Sequence, residues 1–367
     1  MRTRRRPFTV AFVAGLVSVL ALGLPAPSAA APDALDTSGG SGTSDTSPDL
    51  PRLRISGHYV TGISSGGFMA TQLQVAHSAT FDGAAVVSAG TYHCADGNVV
   101  VALQACMVDT LPSQLPASIA YAESAARNGL IDPVSNLARH RTWLFHGTRD
   151  ATVIGTVADE LDAFYRHFGA LPTYSSDVPA GHGWISPLGP VACGDTATPF
   201  INDCGFDAQR QMLGTMLGSV SPPNTGARKG SVVAFSQDPH AALPSPGRGD
   251  VTRTGAAAVG MGPTGYAYIP DQCRKGTSCR LLVALHGCQQ TAGQIGTTFV
   301  DRAFLNEYAD TNKIVVLYPQ ARVDETFGNP KGCWDWWGYL GPNDGDYATR
   351  SGPQVATIMN MVRALGG

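Results

Sequence analysis

The chain has 367 residues, of which 43% are hydrophobic and 14% charged, with a formal net charge of −3. A sizeable core is available, and 25 Lys and Arg against 28 Asp and Glu give no electrostatic reason to expect nucleic acid or an anionic membrane as a partner. With 43 Gly and 25 Pro, many tight turns are expected.

The first 31 residues read as a signal peptide. Arg2, Arg4, Arg5 and Arg6 form a basic start, Phe8 to Leu24 is an uncharged apolar run, and Pro25 to Ala31 is a small-residue stretch suited to cleavage. The mature protein is therefore expected to be secreted and extracellular, with no membrane attachment after cleavage. Residues 32–50 read as a flexible polar linker, and residues 51–367 as one catalytic domain.

Within it, His58 to Ile63 is a short strand and Gly66 to His77 a helix, with Met69, Leu73 and Ala76 on one face. Ala84 to Ser88 and Thr142 to His146 are buried strands. Val157, Leu161, Phe164 and Phe168 mark an amphipathic helix. A loop-rich stretch, 219–262, then separates segment 51–218 from segment 263–367. In the second segment Leu281 to Leu285 and Ile314 to Tyr318 are strands, while Phe299 to Thr311 and Gln354 to Leu365 are helices. Apolar strands alternating with helices predict an α/β fold, a mostly parallel sheet with helices on both faces.

Eight cysteines in an exported chain point to disulfides. Local pairing favours Cys94–Cys106, Cys193–Cys204 and Cys273–Cys279, which leaves Cys288–Cys333 as a long-range bridge. No C-x-x-C and no H-E-x-x-H occurs, so no metal site is expected.

Gly62-Ile63-Ser64-Ser65-Gly66 is a G-x-S-x-G motif lying between a strand and a helix. A chance match is easy; the strand before and the helix after make it a nucleophile elbow of the α/β-hydrolase type, with Ser64 as nucleophile. The bland alternative is an ordinary Gly/Ser turn. Such a serine needs a base, and the base an orienting acid, in the order Ser, acid, His. Asp150, just beyond an apolar strand, is the candidate acid; a turn or cap Asp is the competing reading. His182, between two glycines, is the candidate base, against a plain surface-loop His. His146 and His286 are rivals that read as structural. Leu285-His286-Gly287-Cys288 follows an apolar strand, so the backbone N–H groups of Ser65 and Cys288 are the expected oxyanion donors.

Five stretches, GISSGGFM from Gly62, LVALHGCQQ from Leu282, NEYADTN from Asn306, LYPQ from Leu317 and GCWDWWGY from Gly332, resemble extracellular poly(3-hydroxybutyrate) depolymerases. The resemblance covers most of 55–218 and 265–366. It implies the triad Ser64, Asp150 and His182, and a Cys288 that supplies an oxyanion N–H while its side chain is held in a disulfide. Because the H-G-C segment follows the elbow here, the resemblance implies a circularly permuted α/β-hydrolase, in which Gln354 to Leu365 is the helix that ordinarily leads into the elbow strand. No separate polymer-binding module follows that helix in this sequence. The implied activity is hydrolysis of the polyester or its oligomers; no cofactor is required, and a monomer is expected. A feruloyl or acetyl esterase is the alternative enzyme, and a non-catalytic binding protein on a hydrolase fold the alternative outside catalysis. In the aromatic run, Trp334 reads as core, whereas Trp336, Trp337 and Tyr339 are candidates for an apolar substrate-binding rim suited to a polyester or small ester.

Overall fold

The computed structural model describes residues 49–242, 253–341 and 346–367, all within the unit Thr46–Gly367. The signal peptide and residues 32–48 of the linker lie outside the described residues.

The first segment contributes β1 (Ile55–Ile63), β2 (Gly83–Val87), β3 (Arg141–Phe145) and β4 (Thr173–Ser175). Three short strands, β5 (Trp184–Ile185), β6 (Val191–Ala192) and β7 (Ile201–Asp203), form a separate small sheet. The remaining strands are β8 (Ser231–Ser236), β9 (Thr264–Ile269), β10 (Cys279–Leu285) and β11 (Ile314–Tyr318). The eight-stranded main sheet has the order β4-β3-β2-β1-β10-β11-β9-β8. It is parallel from β4 through β11, and β9 runs antiparallel to both its neighbours. Every residue of β2 and β11 is buried, as strands covered on both faces require.

The two sequence segments meet at the centre of this sheet. β1 pairs with β10 on one side and β2 on the other, with Gly62 opposite Leu285 and Ile63 opposite Val87. The chain leaving β1 and the chain leaving β10 therefore emerge side by side, and that register brings the elbow against residues 286–288.

The helices are α1 (Ser65–Ala76), α2 (Val99–Gln104), α3 (Leu115–Arg127), α4 (Gly155–His167), α5 (Ala208–Leu217), α6 (Asp271–Arg274), α7 (Ala292–Ile295), α8 (Thr298–Arg302), α9 (Leu305–Asn312) and α10 (Pro353–Ala364). α1 is buried along its whole length, not on one face as its Met69, Leu73 and Ala76 pattern suggested. It contacts β1, β2, β10 and α10, and its small residues let the backbone sit close. α10 returns to β1's end of the chain, where the Leu53 N–H donates to the Leu365 carbonyl at 2.8 Å.

Two expectations need correction. The helix expected over Phe299 to Thr311 is two helices, because Phe304 adopts a left-handed backbone (φ 58). Side chains from elsewhere take the carbonyls that a continuous helix would use: Asn306 Nδ2 donates to Val300 O, Ser186 Oγ to Arg302 O and Trp184 Nε1 to Ala303 O. The stretch 219–262, read as loops, contains β8. That strand lies at the sheet edge with only Phe235 buried, and its apolar run, Val232 to Phe235, is just four residues long within a Gly- and Pro-rich stretch.

Candidate active site

Ser64 occupies φ 55, ψ −125 at the mouth of α1, a conformation that costs a non-glycine residue on the order of 1–3 kcal/mol. The surroundings enforce it: Ser64 N–H donates to Val87 O at 2.9 Å and Phe68 N–H to Ser64 O at 3.0 Å. The flanking glycines have a plain steric cause. A β-carbon on Gly62 would stand 2.1 Å from Gly66 O, and one on Gly66 would stand 2.4 Å from the Leu285 and His286 carbonyls. Larger residues would push the elbow off β10.

Asp150 lies on the turn after β3. His146, at the end of that strand, donates from Nε2 to Val153 O at 2.9 Å and so braces the turn. Asp150 is 5% exposed. Its Oδ1 accepts the N–H groups of Thr152 and Val153, and its Oδ2 accepts from His182 Nδ1 at 2.8 Å. Burial alone would push this carboxyl up, but the hydrogen bond and charge of His182, with the Val153 N–H, override it and hold the carboxyl below its ordinary value.

His182 is carried by the loop entering the small sheet. Its N–H donates to Thr196 Oγ1 at 2.9 Å, and the preceding Gly181 N–H donates to Cys193 O at 2.8 Å. Asn202 Nδ2 gathers the carbonyls of Ala192, Cys193 and Asp195, and the Cys193–Cys204 bridge closes the unit. A β-carbon on Gly183 would fall 2.0 Å from Asn202 Oδ1, so the glycine beside the histidine serves close packing. Thr196 and Asn202 escaped the sequence reading, since neither carries a motif.

The loop after β10 is built differently. His286 is fully buried; its Nδ1 donates to Gly287 O at 2.7 Å and its Nε2 accepts the Ala321 N–H at 3.1 Å. Burial drives its pKa down to about 4, with the Gly287 carbonyl partly opposing, so the ring is neutral with the proton on Nδ1. Gln290 Oε1 accepts the Gly287 N–H at 2.6 Å while its Nε2 donates to Pro199 O and Phe200 O, tying this loop to the β6–β7 loop whose Thr196 holds the His182 N–H. Gln289 N–H donates to Lys331 O at 2.7 Å. Gly287 and Gln289 are thus committed on either side, and among the described residues the N–H of Cys288 between them has no partner. Ser65 N–H, at the first position of α1, is likewise unpaired. The structure joins Cys288 to Cys333, and also Cys94 to Cys106, Cys193 to Cys204 and Cys273 to Cys279.

These pieces surround one cavity of about 470 Å³. Ser64, His182 and Cys288 line it, and so do Trp336 and Trp337. Trp336 stacks on Phe68 of α1 at 4.1 Å between ring centroids, and Trp337 meets it edge-on at 5.5 Å. Tyr339, expected at the rim, does not line the cavity. Its hydroxyl accepts from Gln354 Nε2 at 2.9 Å and donates to Cys333 O at 3.2 Å, and its ring packs at 4.9 Å from Trp337. The polar hydroxyl found its partners behind the wall, so Tyr339 backs Trp337 instead of meeting a ligand. The opposite wall comes from α2, whose Val99 and Leu103 line the cavity yet stand 50% and 53% exposed. α2 is held by its Asn98 cap and by the Cys94–Cys106 bridge. Its six residues are too few to show a period, which is why the sequence did not mark it.

A sheet of this order, with a serine elbow on its central strand and an acid and a histidine on successive loops at the same edge, defines the α/β-hydrolase class. No protein-family model matches the chain. The chain is 38% identical over 333 residues to the poly(3-hydroxybutyrate) depolymerase of Delftia acidovorans, a match that takes in 88% of this chain and 63% of that protein. It is 34% identical over 322 residues to the polyhydroxybutyrate depolymerase of Talaromyces funiculosus, covering 83% of this chain and 88% of that one. Two solved structures agree. A PHB depolymerase variant complexed with an R3HB trimer superimposes with a TM-score of 0.76 at 32% identity, over 87% of this chain and 98% of the other. PHB depolymerase from Penicillium funiculosum gives 0.75 at 33% identity with the same coverage. The chain belongs to the PHB depolymerase family.

Proposed function

We propose that this protein is a secreted serine esterase that hydrolyses poly(3-hydroxybutyrate) or its oligomers through an acyl-enzyme on Ser64. The observation that carries the reading is a single apolar cavity lined by a strained serine and by a histidine whose Nδ1 is committed to a buried carboxylate. With Nδ1–H donated to Asp150, Nε2 is the free base. It takes the Ser64 proton as Oγ attacks the ester carbonyl. The carbonyl oxygen becomes an oxyanion, to which the unpaired N–H groups of Ser65 and Cys288 donate hydrogen bonds. Collapse of the adduct breaks the ester bond, and His182 returns the proton to the departing alcohol end. Water then gives a proton to His182 and its oxygen to the acyl carbon, which releases the hydroxyacid segment and restores Ser64.

A polyester of 3-hydroxybutyrate offers methyl groups and carbonyls and no charge along its length. That chemistry suits a cavity walled by Val99, Leu103, Trp336 and Trp337. The Talaromyces relative and the trimer-bound neighbour support the same substrate. Four disulfides suit an oxidising compartment, and among the described residues no helix is long and apolar enough to cross a membrane. The test is clearing of a polymer suspension alongside release of 3-hydroxybutyrate. Wild type should clear it and Ser64→Ala should not; an active Ser64→Ala protein, or a wild type that cleaves only feruloyl or acetyl esters, contradicts the proposal.

A further inference from the structure

At one end of the cavity the lining changes character. Gln289 and Lys331 lie on neighbouring segments joined by the Gln289 N–H to Lys331 O bond, and the Cys288–Cys333 bridge fixes the same two segments. Gln289 holds a left-handed backbone (φ 61). Neither side chain has a hydrogen-bond or ionic partner among the described residues, whereas the other amides there are committed. Asn329 donates to Arg322 O and Cys333 O and accepts from Cys333 N, and Gln290 is bound at both ends. Among the described residues lining the cavity none is Asp or Glu, and Lys331 is the one Lys or Arg. An ammonium without an ionic partner, on a segment bonded to one that bears a free amide, at the lining of an apolar cavity, suits an anion with a hydrogen-bonding oxygen.

On the depolymerase reading, on which this inference rests, the substrate carries such a group at one place only, the free carboxylate that ends each chain. We infer that Gln289 and Lys331 recognise the terminal carboxylate of 3-hydroxyacid oligomers. The assignment sets polarity. In a polyhydroxyalkanoate the carboxyl terminus always belongs to the alcohol side of the ester being cleaved. An oligomer held by its carboxylate therefore presents as scissile an ester whose leaving group is the carboxyl-terminal segment. Lys331 O is bonded to the residue next to Cys288, and Lys331 lines the same cavity as Ser64 and Cys288. The segment leaves as a hydroxyacid after its alkoxide takes the His182 proton, and the acyl segment remains on Ser64 until water releases it. Lys331 is thus a specificity-determining residue that favours short, acid-ended chains over the interior of a long polymer.

The test compares kcat/KM for a 3-hydroxybutyrate trimer acid and for its methyl ester, in wild type, Lys331→Gln and Lys331→Glu. Thermal melting checks that each variant is folded. Wild type should prefer the acid about two- to fivefold, the range of an exposed ion pair, and added salt should shrink the preference. The ratio should approach one in Lys331→Gln and fall below one in Lys331→Glu. Equal rates on acid and ester in wild type, or an unchanged ratio in Lys331→Gln, overturn the carboxylate assignment while leaving the depolymerase reading intact. Failure of wild type to cleave either trimer overturns that reading and the assignment with it.

Discussion

Two histidine loops meet at this cavity, and they differ in what they carry. Both place a His beside Gly at a strand end, just before β5 in Gly181-His182-Gly183 and just after β10 in His286-Gly287. His182 faces a buried carboxylate and lines the cavity. His286 faces a carbonyl and a backbone N–H, is wholly buried and is held neutral. The first arrangement stabilises an imidazolium when a proton arrives. The second excludes one, and uses the ring as a strut that positions the Cys288 N–H. The identity of the residue says little here; the partner facing each ring nitrogen sets its role.

Removing each ring should separate these roles. His182→Ala should lower kcat on a soluble ester by about 10⁴-fold or more, and Asp150→Asn by a similar factor, because triad members act as a unit. His286→Ala should cost less in rate, about 10²–10³-fold, the scale of one lost oxyanion donor. It should also lower stability by about 2–4 kcal/mol, because the Gly287 carbonyl and Ala321 N–H lose their partners in a buried place. Steady-state kinetics paired with denaturant melts distinguish the two. A His286→Ala protein with full activity would remove the strut account.

A further effect lies in the pH dependence of folding. His286 and His77 both have pKa values pushed down to about 4 from 6.5, mainly by burial. Between those limits the unfolded chain binds more protons than the folded one, so stability rises with pH across the window and falls as pH drops from 6.5 toward 4. Each group contributes on the order of 3 kcal/mol over that range. Asp150, held below its ordinary value, adds stability that persists above the usual carboxylate range and is lost as pH falls below it. Melting temperature measured from pH 7 to 4 should decline, and His77→Gln should flatten the decline. An unchanged melting temperature across the window would contradict the neutral-strut assignment.

The comparison also shows where sequence reading works. The elbow was legible because its glycines answer a local steric demand, visible in Gly62 against Gly66 O. Strands β2, β10 and β11 were legible because burial on both faces leaves nearly unbroken apolar runs. The supports were not. Gln290, Asn202 and Thr196 are ordinary polar residues whose value comes from which carbonyls and N–H groups the fold brings to them. The break at Phe304 depends on Ser186 and Trp184, more than a hundred residues away. Tyr339 was misplaced for the same reason: its composition suited a rim, and Gln354, fifteen residues on, claimed its hydroxyl.

The central claim is that Ser64 carries the acyl group and His182 makes it reactive. Acid-quenching wild-type protein during turnover of a 3-hydroxybutyrate trimer, followed by peptide mapping by mass spectrometry, tests it directly. The account predicts a hydroxybutyryl mass increment on the peptide containing Ser64, absent in Ser64→Ala and much diminished in His182→Ala. An increment on another residue, or turnover that continues in Ser64→Ala, would contradict it.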